Sequence, residues 1–482
     1  MPISSLPAPY GIGPMGESAY RFVQWLKSAG MKVWQTLPLL PTNYGDSPYQ
    51  SCDARALNPY FIDFEELRKE GLLEESEYKN VDWAYDERRV EYGKLFLHKA
   101  NVLKKAFARF DREDEGWRTF LNQGEYADFG VFMALKCRFG HQPWTEWEDY
   151  RVYDEKKITE FVQKNRDEVE FWQFTQYIFL KQWNALKAYA NGNGIEIMGD
   201  MPIYVAYDSV EMWKHGKELF LLDEEGNPEL VAGVPPDAFS DDGQLWGNPL
   251  YDWEYHKETG YDWWMKRIGN CYQLYDIVRN DHFRGFDEYY SIPYGDPTAE
   301  NGKWMPGPGY DLFRTMKEKL GERAVIAEDL GFLTDSVIKL IEDTGYPGMK
   351  ILQFAFDSRD ESDYLPSKYT PNCVVYTGTH DNDTVVGWFN TIEGPDKDFA
   401  KSYVGITDDN DPELNWKFIR CAMASVADTA VIPIQDYLGL GSEARTNIPS
   451  TLGINWKWRL KVDACTDELA NKMKELAKEC NR

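Results

Sequence analysis

The chain has 482 residues, of which 43% are hydrophobic, and its formal net charge at pH 7 is −27. This much apolar material is enough for a large folded core, whereas the negative charge disfavours binding to nucleic-acid phosphates or anionic membranes. We therefore expect a globular protein with neither nucleic acid nor a membrane as its partner. Seven scattered cysteines without a Cys-x-x-Cys pair predict free thiols. The lack of a signal peptide or long apolar stretch predicts a cytoplasmic location.

Seven short apolar segments end on polar residues, glycine or proline. In chain order they are MKVWQTLPLLP, IEIMGDMPIYVA, YDIVRNDHF, RAVIAEDLG, GMKILQFAF, NCVVYTGTHDND and TAVIPIQDYLG. Segments that are apolar on both alternations are typical of strands covered on both faces, as in a parallel sheet. Helical patterns such as TDSVIKLIEDTG lie between them, which indicates an α/β fold.

The number of these strands favours a closed (β/α)8 TIM barrel, with the initial MPISSLP as a shortened eighth strand. An open doubly wound sheet stays as the alternative, although the sequence has neither the dinucleotide-binding G-x-G-x-x-G after a strand nor the phosphate-binding G-x-x-x-x-G-K-[ST]. We interpret residues 1–482 as a single barrel domain with insertions and without a C-terminal β-sandwich domain.

Two regions interrupt the alternation of strands and helices. Residues 64–172 are rich in charged residues and tyrosine with helical periodicity, and they predict a helical insertion. Residues 219–253 are dense in glycine, proline and aspartate and predict a long irregular loop. Long loops in compact domains are usually functional or disordered, and Trp246 and Trp253 argue against disorder. We therefore expect this loop to cover a functional site.

Acidic residues stand at the carboxyl ends of four predicted strands: Asp200, Asp281, Glu328 and Asp381. In a barrel these ends converge on one face, so side chains that are distant in sequence meet there. A single aspartate at such a position commonly caps a helix or pairs with an arginine. Four carboxylates at one end of one barrel instead indicate a site, because clustered carboxylates repel unless one is protonated or a cation intervenes.

A pair of carboxyl groups is what retaining glycoside hydrolysis and glycosyl transfer require, one as nucleophile and one as proton donor. We predict that Asp281 is the nucleophile and that the neighbouring Arg279 and Arg284 hold its pKa low. Glu328 is then the proton donor, for which a raised pKa is needed. The 18 Trp, 30 Tyr and 25 Phe residues fit this chemistry, since aromatic faces suit the apolar faces of sugar rings.

Other chemistries fit the sequence less well. His282 and His380 lack the spacing of metal ligands, and a Ser-His-Asp triad lacks its G-x-S-x-G elbow. The two histidines are interpreted either as buried hydrogen-bonding residues or as contacts to sugar hydroxyls. We therefore predict no metal ion at the site.

The motifs and their order resemble one family, the 4-α-glucanotransferases or amylomaltases of glycoside hydrolase family 77, relatives of the α-amylases. The resemblance covers nearly the whole chain and rests on SLPAPYGIG, LNPYFID, GDMPIYVA, GVPPDAFS, GQLWGNPLYDW, RNDHFRGF, AEDLG, PGMKILQFAF, YTGTHDNDT and NWKWRL. It implies transfer of an α-1,4-glucan segment from a donor glucan to the 4-hydroxyl of an acceptor, by double displacement with retention and without a cofactor.

The resemblance also implies roles for individual residues. Asp281 corresponds to the nucleophile, Glu328 to the general acid/base and Asp381 to a third carboxylate that grips the sugar hydroxyls. Substrate contacts are implied for Tyr49, Asp200, Trp246, Asn248, Arg279 and His380. Two alternatives stay open, an α-amylase-like retaining hydrolase and a non-catalytic glucan-binding protein, and the sequence predicts no oligomeric state.

Overall fold

The computed structural model describes residues 1–236, 240–331, 333–359 and 362–482. Asp237, Ala238 and Phe239, which belong to the GVPPDAFS motif, lie outside the described residues. The strands are β1 (Val33–Gln35), β2 (Glu196–Met201), β3 (Leu230–Val234), β4 (Gln244–Pro249), β5 (Ile277–Asn280), β6 (Glu288–Pro293), β7 (Lys303–Pro306), β8 (Ala324–Ala327), β9 (Gly348–Ile351), β10 (Cys373–Tyr376) and β11 (Thr429–Val431).

The helices frame these strands along the whole chain. They are α1 (Glu17–Ser28), α2 (Phe64–Lys69), α3 (Tyr92–Arg109), α4 (Glu115–Gln123), α5 (Ala127–Arg138), α6 (Glu155–Lys164), α7 (Arg166–Gly192), α8 (Val210–Leu219), α9 (Trp253–Glu258), α10 (Asp262–Leu274), α11 (Tyr310–Leu320), α12 (Asp335–Thr344), α13 (Val385–Thr391), α14 (Gly394–Val404), α15 (Leu414–Met423), α16 (Ile434–Tyr437) and α17 (Asp467–Glu479). Within the described ranges, no helix combines the length and apolar character needed to cross a membrane.

Seven strands form one parallel sheet in the order β1-β2-β5-β8-β9-β10-β11. These are the seven predicted segments, taken in chain order, and the prediction of an α/β barrel is confirmed. β10 illustrates why these strands could be predicted from the sequence. All four of its residues are buried, as expected for a strand covered on both faces. All seven strands therefore point their carboxyl ends toward the same face of the barrel.

The MPISSLP segment does not form the predicted eighth strand. Residues Ile3–Ser5 form a 3₁₀ helix, and the first residue lies against β1, where the Met1 amine donates to the carbonyl of Gln35 over 3.1 Å. Pro2 and Pro7 flank the 3₁₀ helix. Because proline has no backbone N–H, it cannot donate to a sheet ladder, which disfavours a strand in this segment.

The region predicted as a helical insertion contains α2 to α6. Its predicted end at residue 172 falls inside α7, which runs without a break from Arg166 to Gly192 and then leads into β2. No glycine or proline stands between Arg166 and Gly192, so the last helix of the insertion and the helix that precedes β2 are one element.

The prediction of an irregular loop at 219–253 was wrong for two segments, which form β3 and β4. These strands belong to an antiparallel sheet in the order β4-β3-β6-β7. Glycine and proline in this region were interpreted as chain breakers, yet β4 contains Gly247 in a left-handed conformation, with a φ of +76°. β3 pairs with β4 on one side and with β6, at residues 288–293, on the other, and this second pairing is one that the local sequence does not reveal.

Gly199 in β2 provides a test of the packing beneath the face formed by the strand ends. A Cβ atom built at Gly199 would lie 2.2 Å from the ring of Tyr275, which is buried and whose hydroxyl accepts a hydrogen bond from the Leu39 N–H over 3.2 Å. We expect Gly199→Ala to lower the free energy of unfolding in urea by about 1–3 kcal/mol through overpacking.

The matched control is Gly93→Ala in α3, where a Cβ would meet no atom within 4 Å. Alanine is the better helix former, so this variant is expected to gain about 0.5–1 kcal/mol. Equal stability of the two variants would contradict the close approach of Gly199 and Tyr275.

Candidate active site

Arg279 is the third of the four residues of β5 and so lies near the carboxyl end of that strand, with a side chain that is 4% exposed. Its Nη1 atom donates to both carboxylate oxygens of Asp200, at 2.9 and 2.7 Å, and to Oδ1 of Asp281 at 3.1 Å. Its Nη2 atom lies 3.8 Å from Oε2 of Glu328. One guanidinium thus brings together carboxyl groups from β2 and from the ends of β5 and β8.

Asp281 follows β5 directly, and its backbone N–H donates to the carbonyl of Met201 in β2. Burial raises the pKa of this carboxyl to about 7, and the charges of Asp200 and Asp381 act in the same direction while Arg279 opposes them. The sequence-based expectation of a low pKa is therefore wrong, because the cost of burying the charge exceeds the attraction of Arg279.

Arg284, which the sequence analysis also placed beside Asp281, lies over the ring of Trp304 at 3.9 Å from the ring centroid. Trp304 is in β7 of the antiparallel sheet. The contact is a cation–π interaction, and it assigns Arg284 to the junction between the barrel and that sheet.

Glu328 follows β8 and accepts two backbone hydrogen bonds. Its Oε2 accepts from the N–H of His282 over 2.6 Å and its Oε1 from the N–H of Leu330 over 3.2 Å. Burial raises the pKa of this carboxyl to about 8, with Arg279 opposing and Asp281 adding to the increase. Glu328 also lies farther from the shared guanidinium, at 3.8 Å from Nη2, than Asp281 does, at 3.1 Å from Nη1.

His282 contributes to the site through its backbone. Its φ of +49° is in the left-handed region, which is uncommon for residues other than glycine, and the resulting turn directs its N–H at Glu328. The imidazole packs edge-on against Trp246, with ring centroids 4.9 Å apart. Burial lowers the pKa of His282 to about 3, so the ring is neutral. The sequence analysis left His282 as either a buried hydrogen-bonding residue or a sugar contact, and it did not predict that the main chain is the donor.

Asp381 follows β10 and is held by the chain that follows β11. Its Oδ1 accepts from the side-chain amide of Asn447 over 2.6 Å, and its backbone carbonyl accepts from the Arg445 guanidinium over 2.6 Å. Its Oδ2 lies 3.3 Å from Nε2 of His380, and its side chain is 44% exposed. Sequence reasoning missed Asn447 and Arg445, for which the polar run RTN after the last barrel strand was the available signal.

Tyr49 and His380 form an aromatic wall beside Asp381. Their rings stack with centroids 5.2 Å apart and an interplanar angle of 15°. The ring of Trp456 lies 5.8 Å from each of them. The sequence analysis noted the NWKWRL motif but assigned no role to Trp456. Burial lowers the pKa of His380, which favours the neutral imidazole.

Asp200, Asn248 and Trp246, for which substrate contacts were predicted, are each engaged by protein groups. The side chain of Asp200 has no exposed surface, and the Tyr49 hydroxyl donates to its Oδ2 over 2.7 Å. Asn248 is buried and donates to the carbonyl of Val205 over 2.7 Å. Trp246 is half-buried and donates to the Gln244 side chain. Asp200 and Asn248 thus support the site from behind, whereas Trp246 keeps part of its ring exposed.

The positive charge at this site comes from Arg279. Among the described residues, no group of three or more histidine, cysteine, aspartate or glutamate side chains is placed to hold a metal ion. A buried guanidinium that contacts both Asp281 and Glu328 can stabilise one negative charge on the pair while the other group keeps its proton. The arrangement suits a reaction that needs a carboxylate and a carboxylic acid side by side.

Comparison with known proteins agrees with this chemistry. A family model described as 4-alpha-glucanotransferase, of glycoside hydrolase family 77, matches residues 1–465. The 4-alpha-glucanotransferase of Clostridium butyricum is 47% identical over 484 residues, with 99% of each chain covered, and that of Thermus thermophilus is 45% identical, with 99% of this chain and 97% of the relative covered. The amylomaltase from Streptococcus agalactiae in complex with acarbose superimposes with a TM-score of 0.96 at 42% identity, covering 100% of this chain and 98% of that one. The chain therefore belongs to glycoside hydrolase family 77, the 4-α-glucanotransferases.

Proposed function

We propose that Asp281, Glu328 and Asp381 carry the 4-α-glucanotransferase activity of this chain. The observation that supports this most directly is the shared guanidinium, since Arg279 contacts the carboxyl groups of both Asp281 and Glu328. Such proximity suits a retaining mechanism, in which the two carboxyl groups stand closer together than in an inverting one. The contacts of Arg279 support the assignment of the roles, because its guanidinium hydrogen-bonds Asp281 over 3.1 Å and so favours the charged form of that carboxyl, whereas Glu328 lies 3.8 Å away.

In the first half of the reaction, a carboxylate oxygen of Asp281 attacks the anomeric carbon of an α-1,4-linked donor. The bond from that carbon to the bridging oxygen breaks, and Glu328 gives its proton to this oxygen as the leaving glucan departs. The product is a β-linked glycosyl ester on Asp281. Loss of the negative charge on Asp281 also lowers the pKa of Glu328, which prepares Glu328 to act as a base.

In the second half, Glu328 takes the proton from the 4-hydroxyl of an acceptor glucan or glucose. The acceptor oxygen attacks the anomeric carbon from the face opposite to Asp281, and the ester bond breaks. Asp281 recovers its charge, Glu328 recovers its proton, and the new linkage is again α. One glycosidic bond is exchanged for another, so the reaction needs no cofactor.

Asp381, His380 and Tyr49 are proposed to hold the sugar at which transfer occurs. Asp381 is the most exposed of the three carboxylates; its Oδ1 is bonded to Asn447, and its Oδ2 lies 3.3 Å from Nε2 of His380. A charged oxygen beside a sugar hydroxyl makes a strong hydrogen bond that strengthens as positive charge develops on the ring. The similar amylomaltase from Streptococcus agalactiae was solved in complex with acarbose, which supports glucan binding by this chain.

The insertion at 219–253 is proposed to form a wall over the site. Trp246 in β4 reaches His282, and the Gln50 side chain, one residue from Tyr49, pairs with the amide of Asn248 at 3.3 Å. A wall that limits access of water to the glycosyl ester favours attack by a sugar hydroxyl. The similar proteins are named 4-alpha-glucanotransferases. Their names favour a transferase over an α-amylase-like hydrolase or a non-catalytic glucan-binding protein.

Incubation with maltotriose tests transfer against hydrolysis. Transfer of glucosyl or maltosyl units is expected to yield glucose together with maltooligosaccharides longer than maltotriose, at a constant number of reducing ends. The products are separated by chromatography and the reducing ends are counted in the same samples. A rise in reducing ends without longer products would establish a hydrolase instead.

Asp281→Asn and Glu328→Gln test the assigned roles. Each variant removes an ionisable group at nearly constant volume, and each is expected to lower kcat by about 1,000-fold or more while glucan binding stays largely intact. Asp63→Asn is the matched control, since Asp63 is a buried aspartate that caps α2 and asparagine caps a helix equally well. Wild-type rates for Asp281→Asn or Glu328→Gln would refute the assignment.

The raised pKa of Glu328 predicts a dependence of stability on pH. The carboxyl titrates near 4.5 when unperturbed and at about 8 in the folded protein. Between these values the folded protein keeps a proton that the unfolded chain has released, so this group makes the free energy of unfolding fall as pH rises. Glutamine cannot titrate. We expect Glu328→Gln to gain on the order of 1–3 kcal/mol relative to wild type between pH 5 and pH 8, measured by urea unfolding.

Glu77→Gln is the control for this pH dependence. A hydrogen bond from Arg109 lowers the pKa of Glu77 below its usual value, so Glu77 is ionised in both the folded and unfolded states across pH 5 to 8. Its stability difference from wild type is expected to stay constant over that range. A constant difference for Glu328→Gln as well would contradict the raised pKa of Glu328.

A further inference from the structure

Residues 377–384 link β10 to α13 and carry His380 and Asp381. Because the side chain of Asp381 is 44% exposed, packing alone does not hold its carboxylate in place. Its position depends on a few hydrogen bonds and on the conformation of this linking segment. Whatever holds the two ends of the segment therefore bears on the geometry of the reaction, in which displacements of about 1 Å are costly.

One buried carboxylate joins both ends of the segment. Asp436, in the short helix α16 after β11, accepts from the Thr377 hydroxyl at Oδ2 over 2.6 Å and from the Val385 N–H at Oδ1 over 2.8 Å. Thr377 is the residue that follows β10, and Val385 is the first residue of α13. Asp436 is 1% exposed, and both of its partners are buried as well.

Asp436 is itself held by the surrounding backbone. Its N–H donates to the carbonyl of Pro433 over 3.0 Å, and its carbonyl accepts from the side-chain amide of Asn415 over 2.7 Å. Burying a carboxylate costs free energy unless hydrogen bonds compensate, and burial raises the pKa of Asp436 to about 6. The hydrogen bonds that offset the cost of burying Asp436 form only in this conformation of the segment. The buried carboxylate therefore favours that conformation over others.

We propose that Asp436 is a positioning residue, which holds the segment 377–384 so that Asp381 meets the sugar in the geometry that transfer requires. The inference rests on the role of Asp381 proposed above. The side-chain hydrogen bonds of Asp436 within the described residues go to Thr377 and Val385, so Asp436 acts through the segment and not on the substrate. A purely structural role would affect stability without a specific link to Asp381.

The test compares Asp436→Ala with Asp436→Asn in the disproportionation of maltotriose. Alanine removes both hydrogen bonds, and we expect kcat to fall about tenfold or more while KM changes less than about threefold. Asparagine keeps both contacts, because its carbonyl oxygen accepts from Val385 and its amide donates to the Thr377 hydroxyl, which is also an acceptor. We expect Asp436→Asn to recover most of the wild-type rate.

The same substitution made in an Asp381→Asn background separates positioning from general damage. There the carboxylate to be positioned is already gone, so Asp436→Ala is expected to slow the reaction by less than about twofold further. If Asp436→Ala does not fold, Thr377→Val removes one of the two hydrogen bonds at nearly constant shape, and the same non-additivity with Asp381→Asn is expected for it.

Asp63→Ala is the matched control, since it also removes a buried aspartate that accepts a backbone hydrogen bond, from Glu66 over 2.9 Å. It is expected to lower stability but not kcat, at a temperature where all variants are folded by circular dichroism. A wild-type rate for Asp436→Ala, or equal losses with and without Asp381, would overturn the inference. A wild-type rate for Asp381→Asn would instead refute the proposed role of Asp381.

Discussion

The site depends on one buried cation, the guanidinium of Arg279. Its Nη1 atom lies within 3.1 Å of Asp200 and Asp281, while its Nη2 atom lies 3.8 Å from Glu328. A single positive charge cannot neutralise three carboxylates, and burial makes any excess negative charge costly. The group that is least well compensated therefore keeps its proton. This asymmetry is the basis on which we propose Asp281 as the nucleophile and Glu328 as the acid, since neither strand end alone distinguishes them.

Main-chain geometry then sets the position of each carboxyl group. The left-handed turn at His282 directs an N–H at Glu328, and the backbone of Asp281 is tied to the neighbouring strand at Met201. Asp381 is different, since its contacts come from Asn447 and Arg445 on a distant segment. The third carboxylate thus relies on the chain after the last strand of the barrel, which is also where Asp436 lies.

The strands of the barrel could be predicted from local patterns of apolar residues. The barrel strands are covered on both faces, so segments such as the one that forms β10 are apolar on both alternations and are recognisable by themselves. β3 and β4 are not recognisable in this way, because β3 pairs with β6, about 60 residues away in sequence, and β4 contains residues that usually break strands. The pKa of Asp281 was predicted in the wrong direction because the presence of Arg279 is visible in the sequence, whereas the depth of burial is not.

The sequence by itself determined the order of the barrel strands and the identity of the carboxylates at their ends, because both follow from local hydrophobic periodicity and from motifs that survive in the one-dimensional chain. Only the tertiary structure decided which groups share a charge and which are withdrawn behind the site. The motifs of Asp200 and Asn248 predict contacts to the substrate, yet both side chains are buried and hydrogen-bonded to other protein groups. Asn447 and Asp436 lie outside the motifs that carry the family resemblance, yet Asn447 holds the third carboxylate and Asp436 joins the ends of its segment. The physical reason is that burial and hydrogen-bond partnership arise from contacts between residues distant in sequence, which no local pattern encodes.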